Sequence, residues 1–115
     1  MTVVVCEDDK NLLQLIELII SELNVDVIKC NEAECLIETV NKDNVDLVIV
    51  DYWLKKTKAD SVIKSIQISN PTLPIILMSA VQNLSEITEK LKVSDYIKKP
   101  FDIEEFKLKV TNYLR

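Results

Sequence analysis

Short apolar runs and helical stripes alternate along the chain from its first residues. Residues 3–6 form an unbroken apolar run of strand length. Residues 11–23 then place Leu12, Leu13, Leu15, Ile16, Ile19, Ile20 and Leu23 at helical spacing. A second strand is expected over 25–30. Asn31, with Glu34 three residues later, reads as a capping box with Asn in place of Ser or Thr. The helix it starts, over 32–42, is expected to bury Cys35, Leu36 and Val40. Residues 45–51 are the most continuous apolar run and read as the centre of the sheet. A loop over 52–58 leads to a helix over 59–69 that buries Val62, Ile63 and Ile66 and stops at Asn70-Pro71. A strand over 74–78, a short helix over 84–91, a strand over 95–97 and a helix over 103–114 complete the pattern.

A strand followed by a helix, five times over, implies an α/β fold: a parallel sheet with helices on both faces. Right-handed crossovers and a doubly wound arrangement give the flavodoxin-like (βα)5 order 2-1-3-4-5. Strands one and three are then neighbours. The first apolar run ends in Glu7-Asp8-Asp9 and the third ends on Asp51. Their carboxylates converge at the carboxyl edge of the sheet, where open α/β folds bind ligands. Carboxylates packed together raise one another's pKa values and call for a cation. An all-oxygen set suits Mg²⁺. Ser79 and Lys99 follow the fourth and fifth strands, so a hydroxyl and an ammonium share this edge. A nucleophilic carboxylate beside a metal, with a hydroxyl donor and a cation, is a site for accepting a phosphoryl group as an acyl phosphate.

Composition narrows the alternatives. One domain is expected over residues 1–115. The chain is 48% hydrophobic and 29% charged, with 14 basic against 19 acidic residues and a net charge of −5. No basic block marks a nucleic-acid partner, and no run reaches membrane-spanning length. The chain enters its first strand directly, so no signal peptide and a cytoplasmic location are expected. The absence of histidine removes most nucleophilic triads and zinc sites, and the absence of glycine removes Walker and dinucleotide loops. Cys6, Cys30 and Cys35 lack metal spacing; Cys6 and Cys30 read as reduced core thiols.

Four segments together point further: Val4-Val5-Cys6-Glu7-Asp8-Asp9, Leu47-Val48-Ile49-Val50-Asp51, Ile76-Leu77-Met78-Ser79-Ala80 and Asp95-Tyr96-Ile97-Lys98-Lys99-Pro100-Phe101-Asp102. In this order and spacing, the whole chain resembles the receiver domain of two-component response regulators. The resemblance implies that Asp51 is the phosphoacceptor. It implies that Asp8, Asp51 and the Trp53 backbone carbonyl ligate Mg²⁺, with Glu7 acting through water. Ser79 and Lys99 would contact the phosphoryl oxygens, Tyr96 would be the switch aromatic, and the Lys99–Pro100 bond would be cis. The donor would be a histidine kinase or histidine phosphotransfer protein. No activity is implied beyond self-phosphorylation and slow autodephosphorylation.

Plainer readings stand beside these. Asp9 reads as a helix-start residue, Tyr96 alone fits strand packing, and Lys99 alone would be a surface lysine. The loop after Asp51 lacks the proline usual near Lys55 and the glycine usual near Ala59. Residues 92–94 lack the usual Gly-Ala, so the fourth helix is expected to be trimmed or displaced. These departures favour a second reading, a degenerate receiver that binds partners without phosphorylation. A hydrolase like the haloacid dehalogenases needs an Asp two residues past the nucleophile, and Trp53 stands there. Mixed charge over 84–115 suits self-association or effector docking. Ending at the last helix, the sequence fits either a single-domain regulator or the receiver part of a longer one.

Overall fold

The computed structural model describes residues 1–55 and 57–114; Lys56, in the expected 52–58 loop, and Arg115, at the end of the 84–115 face, lie outside the described residues. The elements run β1 (Thr2–Cys6), α1 (Lys10–Ser21), β2 (Asp26–Cys30), α2 (Ala33–Lys42), β3 (Leu47–Asp51), β4 (Trp53–Leu54), β5 (Thr57–Lys58), α3 (Asp60–Ser69), β6 (Ile75–Ser79), α4 (Leu84–Leu91), β7 (Asp95–Lys98) and α5 (Ile103–Asn112). Five parallel strands form one sheet in the order β2-β1-β3-β6-β7. With the two hairpin strands set aside, that is the expected 2-1-3-4-5.

The strand period of two sorts the apolar residues into two layers. Val4, Cys6, Val48, Val50 and Leu77 pack with Leu36 of α2, Ile63 of α3 and Leu84 of α4. Val3, Val5, Ile49, Ile76 and Met78 pack with Ile16 and Ile20 of α1 and Phe106 of α5. All five residues of β3 are buried, as a strand covered on both faces requires. Register then aligns the strand ends: Cys6 lies beside Val50, Asp51 beside Met78, and Ser79 beside Lys98. The polar residues that follow each strand therefore meet at one edge.

Several local expectations need correction. The 52–58 segment is not only loop: Trp53–Leu54 and Thr57–Lys58 pair as an antiparallel hairpin, with Lys55 at a φ of 49°. The α2 capping box does not form. Glu32, not Asn31, precedes the helix, and no side chain caps it. Cys30 is not a free thiol, because it is disulfide-bonded to Cys35. Leu15, read into the buried stripe of α1, is 41% exposed.

Helix α4 spans Leu84–Leu91 as expected, and its end explains how the missing glycine is tolerated. Lys92 takes a φ of 57°, its N–H donates to the Glu89 carbonyl, and the Val93 N–H donates to the Thr88 carbonyl. This is a Schellman ending with a lysine in the left-handed position. A side chain there costs about 1–2 kcal/mol relative to the right-handed region. Asn24, past the end of α1, also takes a positive φ, of 58°.

Candidate functional site

The carboxyl edge gathers residues from four strands. Glu7 follows β1 and is 1% exposed. Asp51 ends β3 and is buried, as is Ser79 at the end of β6. Lys99 follows β7, and its Nζ donates to Glu7 Oε1 at 2.7 Å and to Asp51 Oδ2 at 3.0 Å. Its backbone N–H donates to the Ser79 carbonyl at 2.9 Å, which ties the loop after β7 to β6. The Lys99–Pro100 peptide is cis, as expected. Asp8 is exposed, and its Oδ2 accepts the Lys55 backbone N–H at 3.1 Å. Asp9 caps α1, its Oδ1 accepting from the Asn11 and Leu12 amides at 3.0 and 3.2 Å. That is the helix-start role read from the sequence.

One carboxylate oxygen from each of Glu7, Asp8 and Asp51 lies within 4.8 Å of the others. Three carboxylates face one ammonium. Burial pushes the Glu7 carboxyl up to about 7, and the Asp51 charge adds to this, against the lowering pull of hydrogen bonds from Lys99 and Asp9. Burial alone pulls the Lys99 ammonium down, but its bonds to Glu7 and Asp51 outweigh this and the net shift is upward. The edge is thus short of positive charge when all three acids are ionised. The donors are all oxygen, and Asp8 keeps an open side toward solvent. This set fits a hard divalent cation of the Mg²⁺ kind.

Above Asp51 lies an open cleft of ≈ 370 Å³ lined by Asp51, Trp53, Ser79, Ala80, Val81 and Lys99. Ser79 Oγ accepts the Val81 N–H at 3.3 Å. Trp53 is 41% exposed and forms one wall of the cleft. The Trp53 backbone N–H donates to Asp51 Oδ1 at 3.3 Å. Tyr52 meets its ring edge-on at 5.9 Å, and Lys58 Nζ lies 5.8 Å from the ring centroid. Tyr96 stands apart from this cluster. It is half-buried against the layer of α2, α3 and α4. Lys109 Nζ sits 4.6 Å from its ring centroid and donates to its carbonyl.

Glu7, Asp8, Asp51, Ser79 and Lys99, singled out in the sequence, thus lie together at one edge, and Tyr96 does not join them. The sequence reading did not register Lys55, whose backbone N–H reaches Asp8, because a main-chain donor leaves no residue-type signal. It also missed the Cys30–Cys35 bond, whose only trace was the short spacing of the two cysteines.

The family profile described as "Response regulator receiver domain" matches residues 3–111. The chain is 30% identical to the response regulator ArlR of Staphylococcus saprophyticus, covering 98% of this chain and 52% of that protein. It is 27% identical to the transcriptional regulatory protein RprY of Bacteroides fragilis, covering 98% of this chain and 49% of that one. The chain therefore spans about half the length of these curated relatives. Among solved structures it superposes on the receiver domain of NtrX from Brucella abortus with a TM-score of 0.89 at 22% identity, over 97% of each chain. The receiver domain of the Francisella response regulator 1452 gives 0.87 at 26% identity, over 97% of this chain and 94% of that one.

Proposed function

Because the chain belongs to the response regulator receiver domain family, we propose that residues 1–115 act as a single phosphorylatable receiver with Asp51 as phosphoacceptor. The observation that carries this is Lys99 bridging Glu7 and Asp51 at the floor of the open cleft. Asp51 Oδ attacks phosphorus, the phosphorus–nitrogen bond of a phosphohistidine donor breaks, and an aspartyl phosphate results. Lys99 meets the charge on the phosphoryl oxygens, and the Ser79 hydroxyl donates to them. Asp8, Asp51 and the Trp53 carbonyl would hold Mg²⁺, and Glu7 would act through water. When bound, the ion neutralises the incoming phosphoryl group. The donor is a histidine kinase or histidine phosphotransfer protein, and the setting is cytoplasmic. Among the described residues, no helix is long and apolar enough to cross a membrane. Receiver domains are signalling modules rather than enzymes acting on external substrates.

The reading is tested by intact mass after treatment with acetyl phosphate. A gain of one phosphate with Mg²⁺, and none with a chelator, is the expected result. An unchanged mass in both favours the degenerate receiver that binds partners unphosphorylated.

Mg²⁺ also stabilises the metal-free fold. A ligand that binds only the native state adds RT ln(1 + [L]/Kd), about 1.4 kcal/mol at ten times its Kd, which is several degrees in Tm. Trp53 fluorescence changes over the same titration. A Tm unmoved by millimolar-range Mg²⁺ contradicts the ligand set.

Output is proposed through the 84–115 face, with Tyr96 as the switch between Ser79 and that face. The face carries Glu86, Lys90 and Lys92 exposed, and an Asp95–Lys109 pair at 3.5 Å. Light scattering is expected to show self-association on adding a stable phosphoryl mimic. An unchanged mass leaves a heterologous partner or no output through this face.

A further inference from the structure

The disulfide lies outside the phosphoryl cleft, yet one chain of contacts joins it to the acidic cluster. We propose that Cys30 and Cys35 form a reversible thiol–disulfide site, reacting with thiols of the glutathione class, whose state sets the order of the β2–α2 turn beside Asp8.

Cys30 ends β2 and is buried, while Cys35 lies in the first turn of α2 and is partly exposed. Their Cα atoms are 5.5 Å apart, a separation the bond spans without backbone movement. A chain of this length with an apolar layer on each face of its sheet does not depend on a staple. The bond is therefore free to open without loss of the fold.

The turn enclosed by the bond carries Glu32. The Glu32 carbonyl accepts from Cys6 Sγ at 3.4 Å, and its carboxylate pairs with Lys55 Nζ at 3.5 Å. The Lys55 N–H in turn donates to Asp8 Oδ2 at 3.1 Å. The bond thus fixes a turn that braces the loop holding Asp8. Cys6 does not compete as an exchanging thiol: it is fully buried, and its Sγ donates to the Glu32 carbonyl.

Exchange proceeds in two steps. A glutathione thiolate attacks the accessible Cys35 sulfur. The Cys30–Cys35 bond breaks, a mixed disulfide forms on Cys35, and the Cys30 thiolate takes a proton. A second thiolate attacks the glutathione sulfur of the mixed disulfide and releases the Cys35 thiolate at the α2 N-terminus. The protein gains two electrons, and two thiols leave as one disulfide.

The test uses metal-free protein and no phosphodonor, so its result is independent of phosphate transfer. Protein equilibrated in glutathione buffers of varied ratio is quenched, unfolded in alkylating reagent and weighed. Oxidised protein is expected to carry one alkyl group, on Cys6, and reduced protein three. The change reverses when the buffer is switched. Hydrogen exchange at residues 31–35 and at the Lys55 amide is expected to slow about tenfold on oxidation, since the closed loop opens less often. In Cys35→Ser the difference disappears, and reduced wild type provides the same comparison should that variant fold poorly. Three alkyl groups at every buffer ratio, or equal exchange in both redox states, overturns the proposal.

Discussion

The Asp51→Asn protein is expected to take up no phosphate under conditions where the wild type is expected to gain one. Asn keeps the size of Asp and the acceptor for the Trp53 N–H, which Asp51 Oδ1 now takes at 3.3 Å. It loses the anionic oxygen that attacks phosphorus, and an amide is not a nucleophile at neutral pH. The fold survives, because the change removes one of three mutually repelling carboxylates and leaves Lys99 paired with Glu7 at 2.7 Å. Metal-free Asp51→Asn is therefore at least as stable as wild type in chemical denaturation, while its Mg²⁺-induced stabilisation shrinks. Phosphate uptake that persists in the variant moves the acceptor to another residue. A large loss of stability contradicts the repulsion argument.

Trp53→Asn and Val81→Lys each lose phosphate roughly tenfold faster than wild type, the rate equivalent of one well-placed water hydrogen bond of about 1.4 kcal/mol. Hydrolysis of an aspartyl phosphate needs a water in line with the leaving carboxylate. Trp53 and Val81 both line the cleft above Asp51; Val81 carries no polar atom to hold a water, whereas the ammonium of Val81→Lys donates to one and the amide of Trp53→Asn both donates and accepts. The indole is held there by Tyr52 at its edge and by Lys58 near its face. The indole stands beside the expected in-line approach of water and Val81 offers nothing to orient it, so the phosphorylated state is expected to be long-lived for a receiver. Ala80 is small and keeps the cleft open, so transfer to Asp51 is unaffected. The decay of phosphorylated protein, followed by intact mass, measures the rates. If neither polar substitution accelerates decay, shielding is not what sets the lifetime.

The parts of this fold that were legible in the sequence are those set by burial. Residues 47–51 had to be a strand covered on both faces, because a continuous apolar run has no exposed side. Asp51 stood out as the charge that ends that run, and parallel pairing carried it to Glu7. The less legible parts are set by backbone geometry and pairing. No glycine or asparagine marked the hairpin turn, because Lys55 itself takes the positive φ. Asn31 and Glu34 matched a capping pattern, but the turn they occupy is closed by the Cys30–Cys35 bond, and Glu32 faces Lys55 instead. Leu15 fell on the helical stripe yet lies at its edge, beside an apolar groove with Leu12, Pro100 and Phe101. Periodicity locates a face of a helix but not where its partner stops covering it.

The central claim is that one side chain, Asp51, carries the phosphoryl group as an acyl phosphate. Borohydride reduces an acyl phosphate, but not a free carboxylate, to an alcohol, so a phosphorylated aspartate becomes homoserine. Protein treated with acetyl phosphate and Mg²⁺ is reduced, digested and mapped by mass. Homoserine at position 51 alone, absent when the metal is chelated, is the predicted result. Homoserine at position 8 or 9, or a phosphate on Ser79 that resists reduction, contradicts it.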